Sequence, residues 1–439
     1  CHTRRQAPGN RDRAAAQEIT DEAMTANHSP SHDRPDEEHS PESPSFWSFV
    51  PIGEYQVPGL PASGAIADAW TTFKRLLRKV DQSSLQPARD EAKLRALPEV
   101  QLEHLAPPID PTEPADALDA ALYDWLNSDA TDWPVRFVIN QPYAHPDLLH
   151  LWAVRHGAAV IEPPSIEQIL DGDLDWLDQW PVDGGPHRFW VLPRLAHCYL
   201  RHTDGLKLIR TLLARAEAGE LGRGVIGCDS WAWAYLTHLW PVPHPGALTA
   251  QAFDGQRLTR LLTHQIKRRP HRRVRFRNAS TGNDILSVPS DDNEVHPEIV
   301  RLAAHTRGNA GTALTYWRCS LRTEPHEDVV ETADEPISGE VFDEEDVWVS
   351  ANLNEPVLPS EADEDVALVL HALLLHDGLP AASLPILLPL THDGCLAILL
   401  RLQRARLVAR RDERWAVTAT GYSSVRALLA GRDYLTDAF

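Results

Sequence analysis

A chain of 439 residues with 43% apolar content has room for two or three domains with ordinary cores. Its 42 basic and 63 acidic residues leave a net charge of −21, so the molecule as a whole is repelled by nucleic acid and anionic membranes, and any such contact has to be local. The cysteines, Cys1, Cys198, Cys228, Cys319 and Cys395, are scattered without a CxxC pair, which argues against a zinc ribbon or disulfide framework and makes the cytoplasm the expected compartment. No apolar run is long enough for a spanning helix and no leader pattern is visible. The first residue is Cys1 rather than Met, as expected of a fragment or a processed chain.

Residues 1–45 are rich in Pro, Ser, His and charged residues and nearly free of large apolar ones, the composition of a disordered tail. Residues 46–114 follow as an aromatic segment, an amphipathic helix and a linker. Phe46, Trp47, Phe49, Ile52, Tyr55, Val57 and Leu60 stand between prolines and a glycine, so this stretch is expected to lie extended on its own domain. Over 65–80, Ile66, Trp70, Phe73, Leu76, Leu77 and Val80 recur at helical spacing around Lys74, Arg75, Arg78 and Lys79. That pattern fits a domain-edge helix with a solvated basic face, and it would also suit a peripheral membrane contact.

Residues 115–262 alternate helix and strand. A helix over 115–127 leads into 133–157, which reads as a buried strand, a polar turn and a helix beginning near Pro146 or Asp147. Strands over 158–161, 187–192, 224–228 and 246–253 follow, separated by helices that include the stretch after Pro193. Such alternation implies a parallel sheet covered on both faces. Residues 263–323 carry a basic hairpin insertion and a helical lid. In the insertion Arg273, Arg275 and Arg277 alternate with Val274 and Phe276, and the arginine face is expected to be solvated or paired with Asp291, Asp292, Glu294 and Glu298.

Residues 324–364 read as an acidic linker with one short strand at 347–349. Over 365–439, helices, a strand pair and a last helix make a winged-helix pattern. Arg401, Arg404, Arg406, Arg410, Arg411 and Arg414 lend it basic character, yet Thr391-His392-Asp393-Gly394 brings an acid to the place where base-reading side chains sit. Protein docking or packing within the chain is therefore favoured over DNA reading for this segment. Arg273, Arg275, Arg277, Arg401, Arg404, Arg410 and Arg411 are the candidate polyanion-binding residues.

The order of parallel-sheet core, lid and winged helix over 115–439 resembles an AAA+ or STAND-type P-loop ATPase. The resemblance implies an α/β fold, a P-loop NTPase-like parallel sheet with a helical lid, followed by a winged-helix domain. It also implies a phosphate loop at Asn140-Gln141-Pro142-Tyr143-Ala144-His145-Pro146-Asp147, but this turn has no Gly, no Lys and two prolines without N–H donors. The strand HRFWVL resembles a Walker B strand, with Pro193 and Arg194 where an acidic pair would hold Mg²⁺ and polarise water. Asp229 and Ser230 fall at the tip of the strand that resembles the first sensor's. Gly311 takes the place of the lid arginine, with Arg307 nearby, and Arg223 stands where such families often keep a trans-acting finger.

Asn140, Gln141, His145, Asp147, Pro193, Arg194, Asp229, Ser230, Arg307 and Gly311 thus form a candidate degenerate nucleotide site. The expected function is a regulatory or scaffolding protein that has lost ATP hydrolysis and works through a protein partner or a second copy of itself. ATP or ADP remains compatible with the crevice, whereas Mg²⁺ is not expected. Two alternatives use other features: an atypical ATP-binding switch relying on Arg194, Asp229 and Arg307, and a winged-helix transcriptional regulator that binds DNA. The histidines His145, His150, His156, His197 and His202 lack recognised metal-ligand spacing, and Ser230 is not in a GxSxG elbow, so neither a metal centre nor a serine hydrolase is expected.

Overall fold

Side chains along Val135–Asn140 alternate between two cores, as the period of a strand requires. Val135, Phe137 and Ile139 join one cluster and Val138 the other. This strand, β3, is central to a sheet in which β4 (Ala159–Val160), β5 (Trp190–Leu192), β6 (Gly224–Asp229) and β7 (Leu248–Ala250) run parallel to it. The computed structural model describes residues 46–58, 89–128, 133–144, 147–178, 180, 188–240, 246–267, 273–286, 295–324, 344–353, 355–359 and 362–439. Among these, the sheet has six strands in the order β1-β7-β3-β6-β5-β4, with β1 (Phe49–Pro51) antiparallel on the β7 edge.

The chain leaves β3 for the far β4 edge, returns through β5 and β6, then passes β3 to reach β7. The carboxyl ends of β3 and β6 therefore lie at the point where the strand order reverses, the position at which open α/β sheets form their crevice. Helices Thr112–Ala121, Tyr123–Asn127 and Leu148–Arg155 cover one face. Helices Ile166–Asp171, Lys207–Glu217 and Ser230–Leu239 cover the other. The mixed α/β architecture with a parallel sheet is consistent with a P-loop-like fold.

Several elements depart from the sequence-based expectation. The helix expected over 115–127 breaks at Leu122, whose N–H turns back to the Leu118 and Ala120 carbonyls. The stretch after Pro193 is a short 3-10 turn, Leu195–His197, and an α-helix starts only at Lys207. Burial explains this: Cys198, Tyr199 and Leu200 all turn inward, which one helical face could not achieve. The aromatic segment does lie on its own domain, pairing as β1 with β7 and burying Trp47 and Phe49. The expected tail over 1–45 and the amphipathic helix over 65–80 lie outside the described residues.

The basic stretch expected as a hairpin turns back on itself, with Arg277 bridged antiparallel to Asp284 and the Ile285 N–H donating to the Phe276 carbonyl, and it also joins a second sheet. β8 (Arg273–Asn278) runs parallel to β10 (Glu344–Val349), which pairs with β9 (Leu321–Thr323) and through it with β2 (Arg95–Ala96). The register sets Glu344 opposite Arg273 and Asp346 opposite Arg275, a basic strand against an acidic one, which favours this pairing. The acidic segment therefore contributes a full strand. Helices Gly255–Lys267, Pro297–His305 and Ala310–Ser320 supply the rest of that core, around Phe276, Trp317 and Val347. Toward the C-terminus come helix Glu364–Leu375, short helix Leu384–Leu387, helix His392–Arg404, the antiparallel hairpin β11 (Val408–Arg411) and β12 (Arg414–Val417), and helix Tyr422–Ala430.

Gly224 shows how tightly the main sheet is packed. A Cβ there would lie 2.2–2.3 Å from the Trp190 ring atoms. The indole cannot yield, because its N–H donates to the Leu221 carbonyl at 2.6 Å and Trp180 packs on it at 4.7 Å. Gly224→Ala should lower unfolding free energy by about 3 kcal/mol, measured by urea denaturation. Trp190→Leu should recover part of that loss when combined with it, since the two sites share one contact.

Candidate functional site

The turn after β3 is used up by contacts within the chain. Asn140 ends the strand in register with Asp229 of β6. Gln141 donates its amide to the Tyr55 hydroxyl, and the Pro142 carbonyl accepts from the Asn309 side chain at 2.6 Å. Tyr143 has a positive φ of 66°, an uncommon conformation for a bulky residue. Its hydroxyl donates to the Val417 carbonyl of β12 at 2.5 Å, its ring meets Tyr422 at 5.7 Å, and the Arg411 guanidinium lies 6.0 Å above it. Burial, reinforced by the Asp377 charge, pushes the phenol well above its ordinary range, so it is a neutral donor.

Gly311 packs on the same turn. A Cβ at this position would fall 1.9 Å from the Tyr143 carbonyl oxygen, so the helix beginning at Ala310 can approach only as glycine. Helix Ala310–Ser320 is thus seated on the turn, with no room for a Cβ at its second residue. Between them, Asn140, Gln141, Thr249, Phe253 and Gly308 line a cavity of about 10 Å³, room for about one water molecule.

Arg194 lies between carboxylates. Its guanidinium is 3.5 Å from Asp147 and 3.6 Å from Asp377, which belongs to the turn after helix Glu364–Leu375. Asp147 is otherwise exposed and makes no side-chain cap for helix Leu148–Arg155. Pro193 presses its carbonyl onto β6 at Gly227. Asp229 caps helix Ser230–Leu239 by accepting the Trp231 N–H at 2.9 Å. Burial and then the Asp377 charge raise the Asp229 carboxyl well above the usual range. The Arg194 guanidinium thus stands between two carboxylates just beyond the end of β5.

The other candidates bind the C-terminal segment. Ser230 donates to Asp437 at 2.6 Å, and Tyr422, itself an acceptor for the Trp231 indole N–H, donates to the same carboxylate at 3.2 Å. Arg426 closes this buried cluster at 3.0 Å, while burial raises the Asp437 carboxyl. Arg307 donates to the backbone carbonyls of Phe439 and Ala438, at 2.6 and 3.5 Å, and the Phe439 ring meets Tyr55 at 4.8 Å. Beyond the crevice, Tyr199 donates to the Leu375 carbonyl and the Arg201 N–H donates to His376 Nε2. Gln141, Arg194, Asp229, Ser230 and Arg307 are each engaged by other parts of the chain.

The candidate polyanion residues do not form one surface. Arg277 is buried, with 7% of its side chain exposed, and pairs with Asp346 at 2.8 Å, so it is committed inside the fold rather than solvated or facing the acids over 291–298. Arg275 faces outward, and Arg273 lies in the same strand. In the C-terminal segment Arg404 and Arg410 are exposed, Arg401 is half-buried, and Arg411 leans over Tyr143. His145 lies outside the described residues. Arg223 stands at the opposite end of the sheet, stacked on Trp125 at 4.7 Å. Among the described residues, no group of three His, Cys, Asp or Glu could hold a metal ion, and no helix is long and apolar enough to cross a membrane. Tyr143, Asp377, Asp437, Tyr422 and His371 complete the site without having been candidates. Of these, Tyr143, placed between two prolines, carried the one sequence signal.

No family model matches the chain, and no curated protein matches it. Among solved structures the chain is similar to a Walker-type ATPase of Pyrococcus abyssi, with 10% identity and a TM-score of 0.26 over 73% of this chain and 96% of that one. A score this low carries no argument, and the fold rests on the strand order itself.

His371 makes the interface sensitive to acid. It is buried, its Nε2–H donates to the Leu435 carbonyl at 3.1 Å, and its Nδ1 accepts from Arg201 at 3.3 Å, so only the neutral ring satisfies both partners. Burial and Arg201 hold its pKa down to about 4. Unfolded, the ring takes a proton near the ordinary histidine value of 6.5, so the stability it contributes is present above that pH and is lost on acidification toward about 4. Urea unfolding at pH 7 and pH 5 should show the advantage of the natural protein over His371→Gln shrinking by about 2 kcal/mol at the lower pH.

Proposed function

We propose that this chain is a regulatory or scaffolding protein built on an ATPase-like fold whose nucleotide crevice is closed by its own lid and C-terminal segment. The observation that carries this reading is the filling of the crevice: Tyr143 and Gly311 pack the turn after β3, and only about 10 Å³ is left beside it. Phosphate binding needs backbone N–H groups and a cation at such a turn. The available cation, Arg194, is instead spanned by Asp147 and Asp377. Neither a nucleotide nor Mg²⁺ fits the residues present, and no hydrolytic step is assigned to them.

We read the C-terminal helices and hairpin as a winged helix used for docking. Its hairpin turns inward, with Tyr143 bound to β12 and Arg414 donating to the His376 and Gly378 carbonyls. The hairpin tip is Asp412-Glu413, which repels phosphate. This disfavours the DNA-binding alternative, and the buried cap role of Asp229 disfavours the atypical switch. On this reading the partner is another protein or a second copy of the chain, met by outward surfaces of an already closed molecule.

Titration calorimetry with ATP and ADP, with and without Mg²⁺, tests this directly. The expected result is no saturable heat at millimolar nucleotide and no rise in Tm. Gly311→Arg, which returns an arginine to the lid position, should lower stability by about 3 kcal/mol without creating binding. Mg²⁺-dependent binding by the natural protein would replace the scaffold with a nucleotide-controlled switch.

A further inference from the structure

Helix His392–Arg404 turns one stripe of side chains away from its own core. Asp393, Ala397, Leu400 and Arg404 follow one another at helical spacing, which brings all four to one face, and all four are exposed. Cys395, Leu399 and Leu402 are buried on the opposite face. Leu400 is 43% exposed in the middle of the stripe, with Ala397 one turn before it, so an apolar centre lies between an acid at one end and a base at the other. The short helix Leu384–Leu387, which packs on this one, adds a further exposed apolar side chain, Ile386.

The two charges are not committed within the chain. Thr391 already caps the helix by accepting the Gly394 N–H at 3.2 Å, so Asp393 is not needed for that purpose. Among the described residues, neither the Asp393 nor the Arg404 side chain has an ion-pair or hydrogen-bond partner. The helix dipole favours an acid in the first turn and a base in the last, but it does not set them on one face with Ala397 and Leu400 between them. Nucleic acid does not suit this face, because Asp393 repels phosphate. The whole chain carries a charge of −21, which disfavours self-association, yet residues 365–439 hold eight arginines against seven acidic residues and are nearly neutral.

We propose that this face is a contact between two copies of the chain, in which helix His392–Arg404 pairs antiparallel with the same helix of a second copy. The inference rests on the docking reading of the C-terminal segment and names the partner. A stripe with an acid at one end, a base at the other and apolar residues in the middle is complementary to itself turned end for end, as a two-fold interface requires. About an axis between Ala397 and Leu400, each Asp393 meets Arg404 of the second copy, and each Leu400 fills the space above Ala397 of the second copy. Both charge pairs close together, because Asp393 and Arg404 are separated along each helix by the same rise of about 16 Å. Helices of 13 residues bury less surface than a permanent dimer needs, so the association is reversible and depends on concentration.

Sedimentation velocity of the full chain across micromolar concentrations provides the test, and a reversible monomer–dimer equilibrium is expected. Asp393→Arg and Arg404→Asp should each weaken it by about tenfold or more, because either change sets like charges against each other at both ends of the contact. Leu400→Ser should weaken it several-fold. Mixed in equal amounts, the Asp393→Arg and Arg404→Asp chains should associate with each other as the natural chain does with itself, since opposite charges then face each other at both ends. Near-UV circular dichroism should stay unchanged throughout, because the three side chains lie outside the core. A chain that stays monomeric, as it would if this face were kept for a different protein, would overturn the inference. So would a dimer that none of these substitutions weakens, or single variants that fail to recognise each other. None of these results bears on the closed crevice, which the nucleotide titration tests by itself.

Discussion

The phenol of Tyr143 is the constraint on which the arrangement depends. A buried hydroxyl has to be paired, and Tyr143 finds its acceptor not in the sheet but in the Val417 carbonyl of the C-terminal hairpin. Its own carbonyl faces Gly311 of the lid, and its ring packs on Tyr422. One residue at the strand-order reversal thereby fixes core, lid and C-terminal segment against each other. Opening the crevice would exchange these hydrogen bonds for bonds to water at once, a net loss on the order of 0.5–1.5 kcal/mol each.

The charges around this residue follow the same logic. Asp229, Asp377 and Asp437 are all shifted upward by burial, and each is held by neighbours on a different element. Arg194 and Arg426 offset two of them, while Ser230, Tyr422 and the Trp231 N–H provide neutral donors. The buried Arg426–Asp437 pair adds little net stability against an apolar replacement, but removing Arg426 would leave Asp437 without its cation. Such a network specifies one docking geometry. The groups at the end of the sheet are thereby engaged within the chain, Asp229 as a helix cap, Ser230 with Asp437 and Arg307 with the Phe439 carbonyl.

Much of the fold was legible because the main sheet announces itself locally. Alternating or continuous apolar runs placed β3, β5 and β6, and their separation implied parallel pairing. The second sheet was not legible, since β8 and β10 are separated by more than sixty residues and each alone looks like a charged surface stretch; only their register joins Glu344 to Arg273. Local charge could not reveal that Arg277 is buried against Asp346. At the site, the absence of glycine from the turn after β3 and the position of Arg194 just after β5 could be read from the sequence. The partners of these groups could not, because Asp377, Tyr422 and Asp437 come from contacts across more than a hundred residues, as in the Ser230–Asp437 bond.

Native-state hydrogen exchange of the intact protein, followed amide by amide with increasing denaturant, tests the closed crevice most directly. The Arg201 N–H donates to His376 across the junction with the C-terminal segment, and the Phe253 N–H donates to the Gly308 carbonyl of the lid. If the molecule is held shut, both amides should exchange only in the cooperative unfolding step that also releases Val138 and Ile139 of β3. Exchange of either amide through a separate, low-energy opening while β3 stays protected would contradict the account, because the lid or C-terminal segment would then leave the crevice in the native protein.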